Sequence, residues 1–343
     1  MSHDNIDFHY NFVFFLADND YQKICYSSLF GNKHAQIVYN WNLGRFTNFI
    51  HRIHMSPKIN TIVHLPFKKI WYKKYFQPHF HDKKPMCFVF DTCLVKVYSF
   101  LDYIKYLRLK YPNAVFVLFY QDLIGTFPQN FVPNSTRNFF DLVISYDKGD
   151  AENNNLLYHP TVASYIDVDC SGMSSYYKSD VYCIAQAKDR LSTFLSICDY
   201  LMSNGIKCKF FLSKVPEEDR VKHDGVYYLD KPMSYMENLK FVLNTKCILE
   251  IMQKGAVGYT LRLWEAILYD KKLLTNNVFI KDSSFYDNRY ISVMQFNENG
   301  YIVDVDFIMD QSQFVNPYKS KVTPSNLMVF IEDCLNRRSQ NNL

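Results

Sequence analysis

The sequence lacks the features of a secreted or membrane-spanning protein. Its apolar run at 12–17 is far too short to cross a bilayer. The polar, acidic segment at 1–7 predicts that there is no signal peptide. The nine cysteines include no C-x-x-C pair and are odd in number, which argues against a disulfide framework or a zinc site. These absences predict a cytoplasmic protein.

Length and patterning predict two α/β domains. A chain of 343 residues with 48% apolar and 21% charged side chains can form two cores of ordinary size. Apolar strand candidates alternate with helix candidates, at 12–17, 86–90, 114–120 and 140–145, then at 181–185, 208–212, 225–229, 247–251 and 273–275. Continuous apolar strands separated by helices indicate parallel sheets covered on both faces. The polar segment 147–160 is the best linker candidate.

Basic and aromatic residues are concentrated between residues 45 and 84. The segment has nine Lys or Arg and a single acid, Asp82. The lysines alternate with Trp71, Tyr72, Tyr75, Phe76 and Phe80. This composition fits a solvated face, a surface that contacts anionic lipid headgroups, or one that binds nucleic acid. Of the two binding interpretations we favour peripheral contact with an anionic membrane, and we expect no nucleic acid partner.

The most informative segment runs from Gly258 to Ala266. Gly258, Tyr259 and Thr260 stand where a helix should begin, and Glu265 follows the glycine by seven residues. Glycine lets backbone N–H groups approach a ligand, and the start of a helix attracts an anion. The segment therefore fits a site that holds phosphate at the helix start, with Glu265 accepting hydrogen bonds from sugar hydroxyls. An ordinary amphipathic helix with Glu265 on its solvated face fits equally well.

Three blocks of the sequence, at 140–150, at 181–190 and at 258–266 with 271–276, resemble a known family. They are similar to bacterial GT-B glycosyltransferases of capsule and lipopolysaccharide clusters. The resemblance implies two Rossmann-like domains whose parallel sheets face each other across a cleft. An acceptor-binding domain would span residues 1–155 and a nucleotide-sugar-binding domain residues 156–322. A C-terminal helix at 323–343 would pack back on the first domain.

The resemblance implies a role for each residue of the donor site. Lys188 and Arg190, after the first strand of the second domain, would hold the donor diphosphate, and two cations suit a departing nucleotide. A solvated first helical turn is the alternative for both. Gly258, Tyr259 and Thr260 would contact phosphate or the donor sugar, and Glu265 would bind the ribose. Arg262 would either contact phosphate or pair with Glu265. Tyr235 would stack on the base. Tyr235 could equally be a core residue behind a helix-capping Ser234.

A catalytic base must be sought at the strand ends of the first domain. Asp91 is the leading candidate because it directly follows a buried strand, and Asp18 and Asp122 follow two others. Further candidates are Asp20 and the cluster His51, His54 and His64. Each of these side chains could instead be a turn-forming Asp or a surface His.

The function implied by the resemblance is a metal-independent hexosyltransferase. It would move a sugar from a nucleotide-sugar donor to a glycan or lipid-linked glycan in surface polysaccharide biosynthesis, at the inner face of the membrane and without a bound cofactor. The D-x-D tripeptides at 167–169 and 304–306 are interpreted as chance occurrences, so no metal is expected. A nucleotide-sugar epimerase on the same fold and a non-catalytic scaffold of a glycan-assembly complex are the alternatives.

Overall fold

The protein forms two compact units, residues 1–161 with 323–343 and residues 162–322. The computed structural model describes residues 6–39, 43–92, 100–127, 129–298 and 300–341. Each unit contains a six-stranded sheet with helices between its strands. Every pairing between the described strands of these two sheets is parallel. The predicted α/β class is confirmed.

The first sheet has the strand order β2-β1-β3-β4-β5-β6. Its strands are β1 (Asn11–Leu16), β2 (Ala35–Tyr39), β3 (Met86–Asp91), β4 (Val115–Tyr120), β5 (Leu142–Ser145) and β6 (Leu157–Tyr158). The helices of this part of the chain are α1 (Asp20–Cys25), α2 (Arg45–His54), α3 (Pro57–Ile62), α4 (Lys69–Tyr75), α5 (Phe100–Lys110), α6 (Pro133–Thr136) and α7 (Lys148–Asn154). The strand order reverses between β1 and β3.

Aromatic side chains fill the core of the first unit. All six residues of β1 are buried, and the ring of Phe15 stacks on that of Phe90 with centroids 4.7 Å apart. Phe90 also meets Phe100 of α5 at 5.6 Å. Aromatic rings bury a large apolar area per residue, and strands covered on both faces need continuous apolar runs. Aromatic residues make up 17% of the sequence, and the rings named here serve this core.

The rings of α4 and its C-terminal cap also face inward. Trp71, Tyr72, Tyr75 and Phe76 are buried in the core of the first unit. The lysines of α4 remain exposed. The expected surface of alternating rings and lysines is therefore wrong at 71–76, because the helical period separates the two residue types onto opposite faces.

The second sheet has the strand order β12-β11-β10-β7-β8-β9. Its strands are β7 (Ser179–Gln186), β8 (Cys208–Ser213), β9 (Val226–Leu229), β10 (Thr245–Glu250), β11 (Lys272–Thr275) and β12 (Ile291–Val293). The helices are α8 (Leu191–Ser203), α9 (Tyr235–Leu243), α10 (Leu261–Leu268) and α11 (Val305–Met309). A small antiparallel hairpin consists of β13 (Gln295–Asn297) and β14 (Gly300–Ile302).

The segment predicted to be a linker, 147–160, is part of the first unit. It forms α7 and then β6, the last strand of the first sheet. His159 follows β6, is buried, and packs against Phe119 and against Phe330 of the C-terminal helix α12 (Pro324–Asn341). The linker prediction is therefore wrong. The polar residues of this stretch lie on the exposed face of the short helix α7.

Among the residues that the structure describes, no helix is both long enough and apolar enough to cross a membrane.

Candidate functional site

Two loops meet where the strand order of the second sheet reverses. β7 has β8 and β9 on one side and β10, β11 and β12 on the other. In open parallel sheets, ligands bind outside the carboxyl ends of the strands at such a switch point. The loop after β7 carries Lys188 and Arg190, and the loop after β10 carries Gln253. The predicted cations therefore lie where the topology favours a ligand.

Lys188 connects these two loops. Its Nζ donates a hydrogen bond of 2.7 Å to Gln253 Oε1, and its side chain is exposed. Its φ of +50° places it in the left-handed region, which few residues other than glycine occupy. Because the amide of Gln253 is neutral, this contact does not neutralise the ammonium charge. Lys188 can therefore face an anion at the switch point.

Arg190 fastens the ends of β7 and β10 together. Its Nη1 donates to the carbonyl of Ile251, and its Nη2 donates to the carbonyl of Gln186 at 2.6 Å. Burial lowers the pKa of Arg190. Its buried Nε has no hydrogen-bond partner among the described residues. The guanidinium of Arg190 is therefore held by two backbone carbonyls, and its contact with a diphosphate stays a prediction.

Glu265 lies on the buried face of α10 and has no exposed surface. The alternative that places it on a solvated face is therefore wrong. Its Oε1 accepts a hydrogen bond of 2.7 Å from Asn238 Nδ2, and its Oε2 lies 3.7 Å from Arg262 Nη1. Burial raises the pKa of Glu265, while the charge of Arg262 and the polar groups of Asn238 and Tyr235 oppose that rise. Arg262 also donates to the carbonyl of Ile184 at 2.6 Å, which ties α10 to β7.

A second buried carboxylate, which the sequence analysis missed, ends β10. Glu250 accepts hydrogen bonds from the hydroxyls of Thr260 and Thr275, the latter at 2.5 Å. Burial raises the pKa of Glu250, and the charge of Arg262 opposes the rise. The hydroxyl of Thr260 also caps α10 by accepting from the Arg262 N–H at 3.1 Å. The sequence signal that could have identified Glu250 is the single acid in the otherwise apolar strand at 247–251.

Protein groups also hold Gly258 and Tyr259. The carbonyl of Gly258 accepts from Asn277 Nδ2 at 3.1 Å. The ring of Tyr259 packs edge-on against Trp264 at 5.8 Å and against Phe285 at 5.9 Å. These contacts fix the loop that enters α10. Contact of this loop with phosphate or sugar stays a prediction.

Tyr235 is the first residue of α9. The hydroxyl of Ser234 accepts from the Glu237 N–H at 3.1 Å, so the predicted helix cap is confirmed. Tyr235 is half-buried, and its hydroxyl helps to lower the pKa of Glu265. Its stacking on a nucleotide base stays a prediction.

Asp91 ends β3, beside the reversal of strand order in the first sheet. It is buried, and its Oδ2 accepts hydrogen bonds from Gln22 Nε2 and, at 2.9 Å, from Gln121 Nε2. Gln22 is held in turn by the Ala17 N–H, which donates to its Oε1 at 2.5 Å. Amide donors orient a carboxylate without neutralising it. Asp91 is therefore a fixed carboxylate at the carboxyl edge of its sheet.

The other two aspartates proposed as bases lie after different strands. Asp18 follows β1, is exposed and pairs with Lys23. Asp122 follows β4, is exposed and helps to raise the pKa of Tyr146. Of the three, Asp91 alone is buried. Asp20, the further candidate, is the first residue of α1.

His51 and His54 have structural partners. His51 is buried with its Nε2 2.5 Å from the hydroxyl of Tyr75, and burial lowers its pKa to about 4. His54 Nδ1 accepts from Trp71 Nε1 at 2.7 Å. Both imidazoles therefore help to fasten α2 onto α4.

The second D-x-D tripeptide lies at the start of α11. Its first residue, Asp304, is the N-terminal cap of that helix.

No protein-family model matches this chain, and no curated protein matches it in sequence. One solved structure, an α-glucosyltransferase in complex with UDP-glucose and DNA containing an abasic site, aligns over 94% of this chain and 93% of its own, with 10% identity and a TM-score of 0.50. The alignment spans both units. The chain has the GT-B fold. The predicted pair of Rossmann-like domains is confirmed.

Two further solved structures are less similar to this chain. A UDP-forming α,α-trehalose-phosphate synthase from Burkholderia xenovorans is 8% identical, with coverage of 83% of this chain and 88% of its own and a TM-score of 0.45. A protein from Listeria monocytogenes assigned to the UDP-N-acetylglucosamine 2-epimerases is 10% identical, with coverage of 80% and 81% and a TM-score of 0.44.

Proposed function

We propose that this protein is a glycosyltransferase whose second unit binds a nucleoside-diphosphate sugar. The donor would lie at the carboxyl edge of the second sheet, at the switch point between β7 and β10. The observation that carries the proposal is the exposed Lys188, which is held by Gln253 at this point, while Arg190 and Arg262 bond to carbonyls in the last part of the same strand, β7. Cations suit the charge that a departing nucleoside diphosphate accumulates. The GT-B neighbour in complex with UDP-glucose supports a donor of this class.

Lys188 is proposed to contact the diphosphate directly, because its ammonium group is exposed and its partner is neutral. Arg190 would hold the strand ends and add positive charge behind it, and Arg262, whose charge is paired with Glu265, would tie α10 to β7. The loop of Gly258, Tyr259 and Thr260 would contact phosphate or sugar through its backbone. Ribose binding by Glu265 requires the surrounding side chains to move, since its carboxylate has no exposed surface.

Asp91 is proposed to accept the proton of the acceptor hydroxyl, with Asp18 and Asp122 as the alternatives. Its two amide partners hold the carboxylate in one orientation, as a general base requires. We further propose a metal-independent transfer of a hexose to a glycan or lipid-linked glycan acceptor held by the first unit. Surface polysaccharide biosynthesis is the context that the sequence blocks favour.

Thermal unfolding against a panel of nucleotides and nucleotide sugars tests the donor site. A ligand that binds only the native state raises the unfolding midpoint in a dose-dependent way. We expect one nucleotide class to raise the midpoint of the wild type and to lose this effect in Lys188→Gln. The matched control is Lys207→Gln. Lys207 is an exposed lysine that directly precedes β8, at the amino edge of the same sheet. No shift with any nucleotide, or equal loss in both variants, would overturn the proposed site.

Product analysis then separates the enzyme classes. A glycosyltransferase releases nucleoside diphosphate in proportion to the sugar that it adds to an acceptor. An epimerase converts the nucleotide sugar with no acceptor present. A non-catalytic scaffold binds the nucleotide sugar and leaves it unchanged.

A further inference from the structure

Helix α2 turns its apolar face to solvent. Phe46, Phe49, Ile50 and Ile53 have the spacing i, i+3, i+4 and i+7 and so share one face, and all four are exposed, Phe46 at 76%. His51 instead points inward and is buried. A helix on a globular protein normally packs its apolar stripe on the core. In α2 this arrangement is reversed.

The exposed apolar surface continues beyond α2. Ile62 and Val63 at the end of α3 are 85% and 58% exposed, and Phe67 in the next loop is 79% exposed. Phe67 has a φ of +61°, a left-handed conformation that strains a bulky residue. Strained conformations occur preferentially at functional positions. Ile70 on α4 extends the surface further.

The same segment carries a strong positive charge. Residues 45–74 include seven Lys or Arg and no acid. The exposed cations are Arg45, Arg52, Lys58, Lys69, Lys73 and Lys74. We call the exposed side chains of residues 45–74 the apolar–basic surface. A contiguous exposed apolar patch marks an interaction site, and this one calls for a partner that is both anionic and apolar.

A cavity of about 690 Å³ adjoins this surface, between residues 64–72 and α5. Its apolar walls include Phe67, Ile70 and Leu109, and its charged residues include Lys69 and also Lys105, which pairs with Asp102 at 3.8 Å. The apolar walls match an acyl chain, and the exposed Lys69 offers an ammonium group to a phosphate at its end. The cavity thus has the same mixed chemistry as the surface beside it.

We propose that the apolar–basic surface docks on a bilayer that contains anionic phospholipid. Amphipathic helices that carry Phe and Ile on one face and basic residues beside it lie in the bilayer interface. Anionic lipids attract the cations, and the acyl region takes up Phe46, Phe49 and Ile53. Single-stranded nucleic acid would pair with the cations and stack on the aromatic rings, but it offers no place for exposed isoleucines. This proposal does not depend on the donor site of the second unit.

Vesicle co-sedimentation of the full chain tests the proposal. Vesicles of phosphatidylcholine with phosphatidylglycerol are compared with vesicles of phosphatidylcholine alone. We expect binding to the anionic vesicles, weakened by salt and much weaker with phosphatidylcholine alone. Phe46→Ser/Phe49→Ser should weaken the binding by roughly a hundredfold, because burial of each ring contributes about tenfold or more. Arg45→Gln/Arg52→Gln should weaken it by about fivefold for each charge removed.

The control is Phe30→Ser, which removes a phenylalanine of the same unit that is 59% exposed and lies outside the apolar–basic surface. It should bind vesicles like the wild type. All variants should keep the unfolding midpoint and any nucleotide shift of the wild type, so a failure here would leave the donor site untouched. Absence of vesicle binding, equal binding to both vesicle types, or equal loss in Phe30→Ser would overturn the proposal. A dimer that forms in solution and is lost in Phe46→Ser/Phe49→Ser would identify a second copy of the chain as the partner instead.

Discussion

Replacing Glu265 by alanine should destabilise the second unit. On sequence alone, this substitution would be chosen to remove donor binding and leave the fold intact. The structure places the carboxylate at zero exposure, bonded to Asn238 and 3.7 Å from Arg262. Its removal leaves the guanidinium of Arg262, which is 21% exposed, without its ion-pair partner, and breaking such a pair costs up to about 3–5 kcal/mol. That loss is a large part of the roughly 5–15 kcal/mol that stabilises a typical domain.

Two further variants identify the cause. Glu265→Gln keeps the side-chain volume and an oxygen that can accept from Asn238 but removes the charge, so the loss should fall to about 1–3 kcal/mol. The double variant Arg262→Met/Glu265→Leu removes both charges and should regain most of the stability, because an apolar pair avoids the cost of desolvation.

Urea unfolding followed by circular dichroism measures these effects. The curves should be fitted with two transitions, since two units rarely unfold as one. Glu218→Ala, at an exposed acid of the second unit, is the control and should change the free energy of unfolding by less than about 0.5 kcal/mol. If Glu265→Ala unfolded at the same urea concentration as Glu218→Ala, the inference of a buried structural ion pair would be refuted.

Three further predictions concern other sites. Thr275→Val should lower the free energy of unfolding by about 1–3 kcal/mol in the same urea assay, because Glu250 loses a buried donor; an unchanged value would contradict this role. Burial lowers the pKa of His51 and His159 to about 4, so their stabilising effect is complete above the unfolded value near 6.5 and is lost as pH falls toward 4. Each should contribute up to about 3 kcal/mol, and thermal midpoints across this pH range should fall less steeply in His159→Leu; the same slope in both proteins would argue against it. Asp91→Asn should reduce kcat by roughly a hundredfold or more with little change in nucleotide binding if Asp91 is the base, and an unchanged kcat would leave Asp18 and Asp122 as candidates.

Much of the fold could be predicted from the sequence. The strands were recognisable because strands buried on both faces need uninterrupted apolar runs, and β1, β3 and β4 have them. The segment 147–160 was wrongly predicted to be a linker because a short helix that is exposed on one side has the same polar composition as a linker. The exposure of the apolar face of α2 could not be predicted either, since periodicity identifies an apolar stripe but not whether it faces the core or solvent.

The candidate site was only partly accessible to the same reasoning. Lys188 and Arg190 were found because they follow a recognisable strand, and parallel topology brings strand ends to one edge. Gln253 and Glu250 were missed, although they belong to the same switch point. An acid in an apolar strand marks Glu250 as unusual, but its partners Thr260 and Thr275 and the bond between Gln253 and Lys188 depend on the tertiary structure.

The sequence by itself determined the α/β class, the positions of most strands and the loops in which a ligand site should be sought. These properties depend on local hydrophobic patterning and on residues that begin or end helices. Tertiary structure alone decided that Glu265 is buried against Asn238, 27 residues away, and that Glu250 bonds Thr275, 25 residues away. It also decided that α2 exposes its apolar face while α4 buries its rings. The physical reason is that the burial and pairing of a side chain depend on which distant elements pack around it.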